Sequence, residues 1–142
     1  MIAIINGPNL NLQGKRQPEI YGNISFEDFL KDLRERFPDE KIEYFQSNCE
    51  GEIIDCLHSL GYGDVDCKGI VLNPGAYAHY SYAIADAISS IPVPVIEVHI
   101  SNIHAREEFR SKSVTARECK GILAGLGLEG YTSAVRYLLE RR

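Results

Sequence analysis

The sequence has no block of basic residues: 15 Lys and Arg stand against 20 Asp and Glu in 142 residues, a formal net charge of −5. Without a basic footprint for a phosphate backbone, nucleic acid is not expected as a partner. Any anionic ligand has to be held by a few placed groups. Long apolar runs are missing too. The longest, such as Val93–Ile96 and Ile2–Ile5, fall far short of the ~20 residues that a membrane helix needs. Met1 leads straight into a strand-like stretch, so a soluble, cytoplasmic chain without leader or membrane span is expected. Cys49, Cys56, Cys67 and Cys119 include no Cys-x-x-Cys pair, which leaves reduced thiols as the expectation, with no zinc site and no disulfide frame. No P-loop, H-E-x-x-H or G-x-S-x-G occurs, so phosphoryl transfer, zinc hydrolysis and serine hydrolysis lack support.

What is present is an alternation of apolar runs with helical patterns through a length suited to one domain, 1–142. Met1–Asn6, Lys41–Gln46, Lys68–Asn73, Val93–Ile100 and Gly121–Ala124 are predicted strands. Between them, Ser25–Phe37 places Phe26, Phe29, Leu30, Leu33 and Phe37 at helical spacing behind Ser25 as N-cap, and Pro38 ends it. Glu50–Leu60, Ala78–Ile91 and Gly130–Arg142 are the other predicted helices. Strands of this kind separated by helices predict a single-domain α/β fold, a flavodoxin-like, doubly wound parallel sheet of five strands.

In such a fold, ligands sit beyond the carboxyl ends of the strands, where the winding order reverses. Polar residues gather there: Asn6-Gly7-Pro8-Asn9, Gln46-Ser47-Asn48, Asn73-Pro74-Gly75 and Glu97 to Asn102. Strand alternation puts Glu97, His99 and Ser101 on one face of the fourth strand. A carboxylate and an imidazole in an apolar strand are costly unless paired or used. A satisfied polar network is the alternative to catalysis; polar residues at three further strand ends favour a site. The long connection after the first strand, about 8–23, is punctuated by glycines and carries Arg16 and Tyr21, as a lid would. In 101–113, Arg106 and Arg110 are four apart and share a face if the segment is helical; a solvated face is the alternative. Gly125 to Gly130 fits G-x-G-x-x-G, but no further strand with an acid follows, so a tight strand-to-helix turn is predicted.

Four segments, INGPNLNLQGKRQPEIYG at 5–22, QSNCEGEIID at 46–55, GIVLNPGAYAHYSYAIADA at 69–87 and IEVHISNIHAREEFRSKS at 96–113, resemble the type II 3-dehydroquinate dehydratases in order and over essentially the whole chain. The resemblance implies conversion of 3-dehydroquinate to 3-dehydroshikimate through an enolate, by anti elimination, as the third step of the shikimate pathway to chorismate and aromatic amino acids. It implies no metal or organic cofactor, and trimers assembled into a homododecamer. By resemblance, Tyr21 is the base at C2 and His99 the acid at the departing C1 hydroxyl, with Glu97 orienting it. Arg16 is the lid arginine that favours the tyrosinate, and Asn9 positions a water against the enolate oxygen. Substrate is held by Asn73, His79, the Ile100-Ser101 backbone with the Ser101 hydroxyl, and Arg110; Asp86 reaches in from a neighbouring subunit, and Arg106 supports the site. Gln13, Gln17, Ala78 and Tyr80 depart from the pattern, which usually has leucine, glutamate and threonines there.

The chemistry gives these residue types a purpose. Dehydrating a β-hydroxy ketone requires a base for the C–H beside the carbonyl, a stabilised enolate and a proton for a poor leaving group. A phenol is a weak base at neutral pH unless a neighbouring cation favours the phenolate, and Arg16 lies five residues before Tyr21. No lysine ends an apolar strand, so an imine route has no candidate nucleophile. A flavodoxin-like binding module for an anionic or nucleotide ligand would explain the strand-end amides, but it leaves Glu97, His99, Arg16 and Tyr21 unused.

Overall fold

The computed structural model describes residues 1–141. Five parallel strands, β1 (Ile2–Asn6), β2 (Ile42–Gln46), β3 (Gly69–Asn73), β4 (Val95–His99) and β5 (Gly121–Ala124), lie in the order β2-β1-β3-β4-β5. This is the flavodoxin-like order, with its reversal between β1 and β3. The continuous apolar runs hide an alternation. Ile2 and Ile4 of β1 join Phe26, Leu33 and Val135 in one core, while Ala3 and Ile5 join Ile53, Leu57 and Ile84 in the other. Helices α2 (Phe26–Arg36) and α5 (Glu129–Glu140) cover the first face, α3 (Glu50–Tyr62) and α4 (Tyr82–Ser90) the second.

Ser25 caps α2 as its pattern predicts, its Oγ accepting from the Asp28 N–H at 3.1 Å. The predicted helix over 78–91 is shorter than expected. Ser81 takes an extended conformation and caps α4 through the Ile84 N–H at 3.0 Å, so Gly75–His79 forms a separate 3-10 turn. That break leaves His79 at the strand ends. The predicted lid is also more ordered than a plain loop: it holds a 3-10 turn at Leu10–Leu12 and a one-turn helix, α1 (Pro18–Tyr21), with Pro18 in the first turn. In 101–113 the chain forms two 3-10 turns, Ile103–Ala105 and Glu108–Ser111, not one helix, and Arg106 lies on extended backbone between them. The Gly-rich segment after β5 is a tight turn, with Gly125 and Gly127 at φ of 85° and 60°. All four cysteines are free thiols. No helix among the described residues is long and apolar enough to cross a membrane.

At the point of reversal, Asn6 and Asn73 are register partners. The Gly7 N–H donates to the Asn73 carbonyl at 2.7 Å, and a Cβ on Gly7 would come within 2.5 Å of the Pro74 carbonyl oxygen. Glycine is required there for the two strand ends to meet.

Candidate active site

The crevice beyond that junction is a pocket roofed by the lid, and it gathers Asn9, Arg16, Tyr21, Asn73, His79, His99, Ile100, Ser101, Arg106 and Arg110. Of the predicted site residues, only Glu97 and Asp86 do not line it. Glu97 lies directly behind His99. Asp86 is on the exposed side of α4, where its main-chain carbonyl accepts from the Ser89 hydroxyl.

The imidazole is held from behind. His99 Nε2 is 2.8 Å from Glu97 Oε2, and both residues are buried. A buried carboxylate is tolerated when its oxygens are hydrogen-bonded. Ser113 Oγ donates to the same oxygen at 2.7 Å, and Thr115 Oγ1 donates to Glu97 Oε1. The segment carrying those hydroxyls is pinned at its start, where the Val114 N–H donates to the Ala78 carbonyl at 2.7 Å. Neither Ser113 nor Thr115 was foreseeable from spacing, because each lies in a different element from Glu97. The Ser113-x-Thr115 pair in a segment of mixed charge is a faint signal at best.

The phenol of Tyr21 lines the same pocket as His99. Two guanidinium groups address it in different ways. Arg106 Nη1 donates to the Tyr21 hydroxyl at 2.7 Å, while Arg16 lies over the ring with its Cζ 5.0 Å from the centroid. The resemblance puts Arg16 at the phenol; the direct hydrogen bond comes from Arg106, whose Cζ also lies 5.5 Å from the ring centroid, and Arg16 supplies a cation–π contact. Arg106 also reaches the Ser101 hydroxyl, at 3.4 Å. Arg110 is tied to Glu107 at 2.7 Å and faces the pocket from the second 3-10 turn.

The amide of Asn73 is fixed at both ends. Its Oδ1 accepts from the Gly75 N–H at 3.1 Å, and its Nδ2 donates to the Tyr131 hydroxyl at 2.9 Å, which in turn donates to Asn6 Oδ1 at 2.7 Å. Tyr131 is fully buried, and burial pushes its phenol pKa far above the ordinary value. It acts as a neutral hydroxyl that aims Asn73. This contact spans 58 residues and was not legible in the sequence. Asn9 sits in the left-handed region at φ 69°, and its N–H donates to Asn48 Oδ1 at 3.0 Å. The second strand end thereby braces the first.

His79 Nδ1 is 2.7 Å from the Lys112 carbonyl, so Nδ1 carries the proton and Nε2 is left as an acceptor. Burial lowers its pKa, outweighing the carbonyl contact that raises it. Since the folded value lies below the ordinary 6.5, the unfolded chain binds the extra proton more readily. The stability that His79 contributes is therefore complete above that value and is lost as pH falls through the folded pKa. Urea unfolding at pH 7.5 and 5.5 is expected to show a larger loss on acidification for the native protein than for His79→Gln.

Among the described residues, no group of three or more His, Cys, Asp or Glu is placed to hold a metal ion. The chemical repertoire of the pocket is that of a phenol, an imidazole backed by a carboxylate, several guanidiniums and fixed amides. Together with the strand order, it defines a flavodoxin-like α/β protein whose pocket at the switch point gathers ionisable and amide side chains.

Comparison with known proteins narrows this class. The family model described as Dehydroquinase class II matches residues 1–139. Among curated proteins, the 3-dehydroquinate dehydratases of Thermotoga petrophila and Caldicellulosiruptor bescii are each 53% identical to this chain, covering 99% and 98% of it and 95% and 96% of their own lengths. The crystal structure of a type II dehydroquinase from Butyrivibrio crossotus superposes with a TM-score of 0.90 at 48% identity, covering 98% of this chain and 97% of that one. The chain belongs to the class II dehydroquinase family.

Proposed function

We propose that this protein dehydrates 3-dehydroquinate to 3-dehydroshikimate through an enolate, without metal, organic cofactor or imine, as a cytoplasmic enzyme of the shikimate pathway. The observation that carries this reading is the placement of the Tyr21 phenol, under Arg106 and Arg16, across one pocket from the Glu97-backed His99. Family membership supplies the substrate. Tyr21, as phenolate, takes the proton from C2; the C–H electrons form the C2–C3 double bond of an enolate, with the charge on the C3 oxygen. When that charge returns, the C1–C2 double bond forms and the C1–O bond breaks. His99 gives its proton to the departing hydroxyl, which leaves as water.

The remaining groups hold the substrate. Asn9 places a water against the enolate oxygen; Asn73, His79, the Ile100-Ser101 backbone, the Ser101 hydroxyl and Arg110 bind the ring substituents and carboxylate. Asp86 enters from a neighbouring subunit in a trimer, four of which make a homododecamer; its exposed position on α4 leaves it available for that role. Support for the enolate route over an imine comes from the pocket lining, which includes no lysine.

The test is to mix the purified protein with 3-dehydroquinate and no added cofactor, and to follow the ultraviolet absorbance of the conjugated enone. A rise that survives chelator and borohydride is expected. A borohydride-trapped adduct would overturn the enolate route, and no rise at any pH from folded protein would overturn the dehydratase reading. In the same assay, Arg16→Ala is expected to lower kcat by about tenfold or more with KM changed much less. Its cation acts on the phenolate formed for reaction, not on the resting substrate. An unchanged kcat would show that Arg106 alone suffices at the phenol.

A further inference from the structure

Gln13 is a buried group that the steps above leave unused. It is 4% exposed and lines the pocket between Asn9 and Tyr21. The two ends of its side-chain amide have different fates. Nε2 donates to the main-chain carbonyl of Tyr21, whereas Oε1 is buried with no partner. The orientation is forced: turning the amide over would set its oxygen against the Tyr21 carbonyl oxygen, two acceptors face to face.

A buried acceptor without a donor destabilises the folded chain, and an apolar side chain of similar size would avoid the cost. A local rule broken in the wall of a site points to function. The pocket's own chemistry says which. Arg16, Arg106 and Arg110 offer only donors, suited to a carboxylate or an oxyanion. Of the acceptors nearby, Asn73 Oδ1 already takes the Gly75 N–H and Ser101 Oγ already takes Arg106, which leaves few, His79 Nε2 among them, for a ligand's hydroxyls. A polyhydroxylated ring brings O–H donors that need acceptors of their own.

We propose that Gln13 is a substrate-recognition residue, with Oε1 accepting a hydrogen bond from a ring hydroxyl of the bound substrate while Nε2 holds the Tyr21 end of the lid. One side chain then couples ligand to lid. This rests on the dehydratase reading above, and it adds a residue to which that reading assigns no role.

The experiment combines steady-state kinetics of Gln13→Leu and Gln13→Met with thermal unfolding of the ligand-free proteins. Expected is a fall in kcat/KM of about tenfold in both variants, with the Tm of the ligand-free protein close to native, because removal of the orphaned Oε1 acceptor offsets loss of the Nε2 donor to the Tyr21 carbonyl. With substrate analogues lacking the hydroxyl at C4 or at C5, the variants' penalty is expected to shrink clearly below tenfold for one analogue, the remainder being the lost Nε2 contact to the lid, and to persist for the other. Three results would overturn the inference: native kcat/KM in both variants, a Tm lowered in proportion to the lost activity, or the same tenfold penalty with both analogues. A native protein inactive on 3-dehydroquinate would instead remove the dehydratase reading, and this inference with it.

Discussion

Tyr21→Phe is expected to reduce turnover of 3-dehydroquinate by on the order of 10³, the size of effect associated with losing a positioned general base. The fold gives that substitution little else to disturb. The ring keeps its contact with Arg16, whose Cζ lies 5.0 Å from the centroid, and its packing on the partly buried edge of the core. Arg106 loses the hydroxyl it donates to at 2.7 Å but retains Ser101 and the carboxylate of Glu107. Neither change empties a cavity or strands a buried acceptor. Thermal unfolding should shift by no more than a few degrees, and a substrate analogue should still bind, since Asn73, His79 and Arg110 are untouched. Loss of turnover with binding retained is the signature of a group used in the transition state. If Tyr21→Phe kept kcat within tenfold of native, the base would have to be sought elsewhere in the pocket.

Much of the frame was legible in the sequence, for physical reasons. A parallel sheet covered on both faces makes each strand a nearly unbroken apolar run, and four of the five runs stand out by that alone. Of the polar residues that interrupt them, Asn6, Asn73 and His99 fall where strands end and Glu97 lies two residues before His99, so the pocket's floor is legible in the pattern itself. What could not be read is which side chains meet across the chain. The Arg106 to Tyr21 hydrogen bond spans 85 residues and Tyr131 to Asn6 spans 125, and spacing carries no information on either. Local propensity also missed the break before α4. Ala78–Ile91 has a helical pattern throughout, but the Ser81 hydroxyl serves both the Ile84 N–H and, at 2.7 Å, the Glu50 carboxylate. That tertiary contact fixes the cap. Gln13 is the opposite case: its departure from the family pattern was visible in the sequence, but its buried, half-satisfied state was not.

His99→Ala is expected to abolish dehydration by a different route, and the difference can be measured. If His99 supplies the proton to the leaving hydroxyl, removing it leaves the first half of the reaction intact: Tyr21 still takes the C2 proton, and the enolate, unable to expel hydroxide, takes a proton back. In deuterium oxide the recovered 3-dehydroquinate should therefore carry deuterium at C2, while no enone absorbance develops. Tyr21→Phe should show neither exchange nor product. Glu97→Gln belongs between them. It keeps the shape of the buried group but turns one of its two acceptor oxygens into an NH2 donor, so that Ser113 or Thr115 has to reorient its hydroxyl, and it replaces the carboxylate 2.8 Å from His99 Nε2 with a neutral amide. A fall in kcat of about 10–10² is expected there, smaller than for His99→Ala, with C2 exchange preserved. His99→Gln guards against a purely structural loss, because its Nε2 can take the place of the imidazole Nε2 and still donate toward Glu97 while offering no acidic proton to the substrate. Exchange without dehydration in both His99 variants would establish the imidazole as the acid of the second step. Absence of exchange in both, from folded protein that still binds substrate, would move His99 to the enolisation step and leave the leaving group to another donor in the pocket.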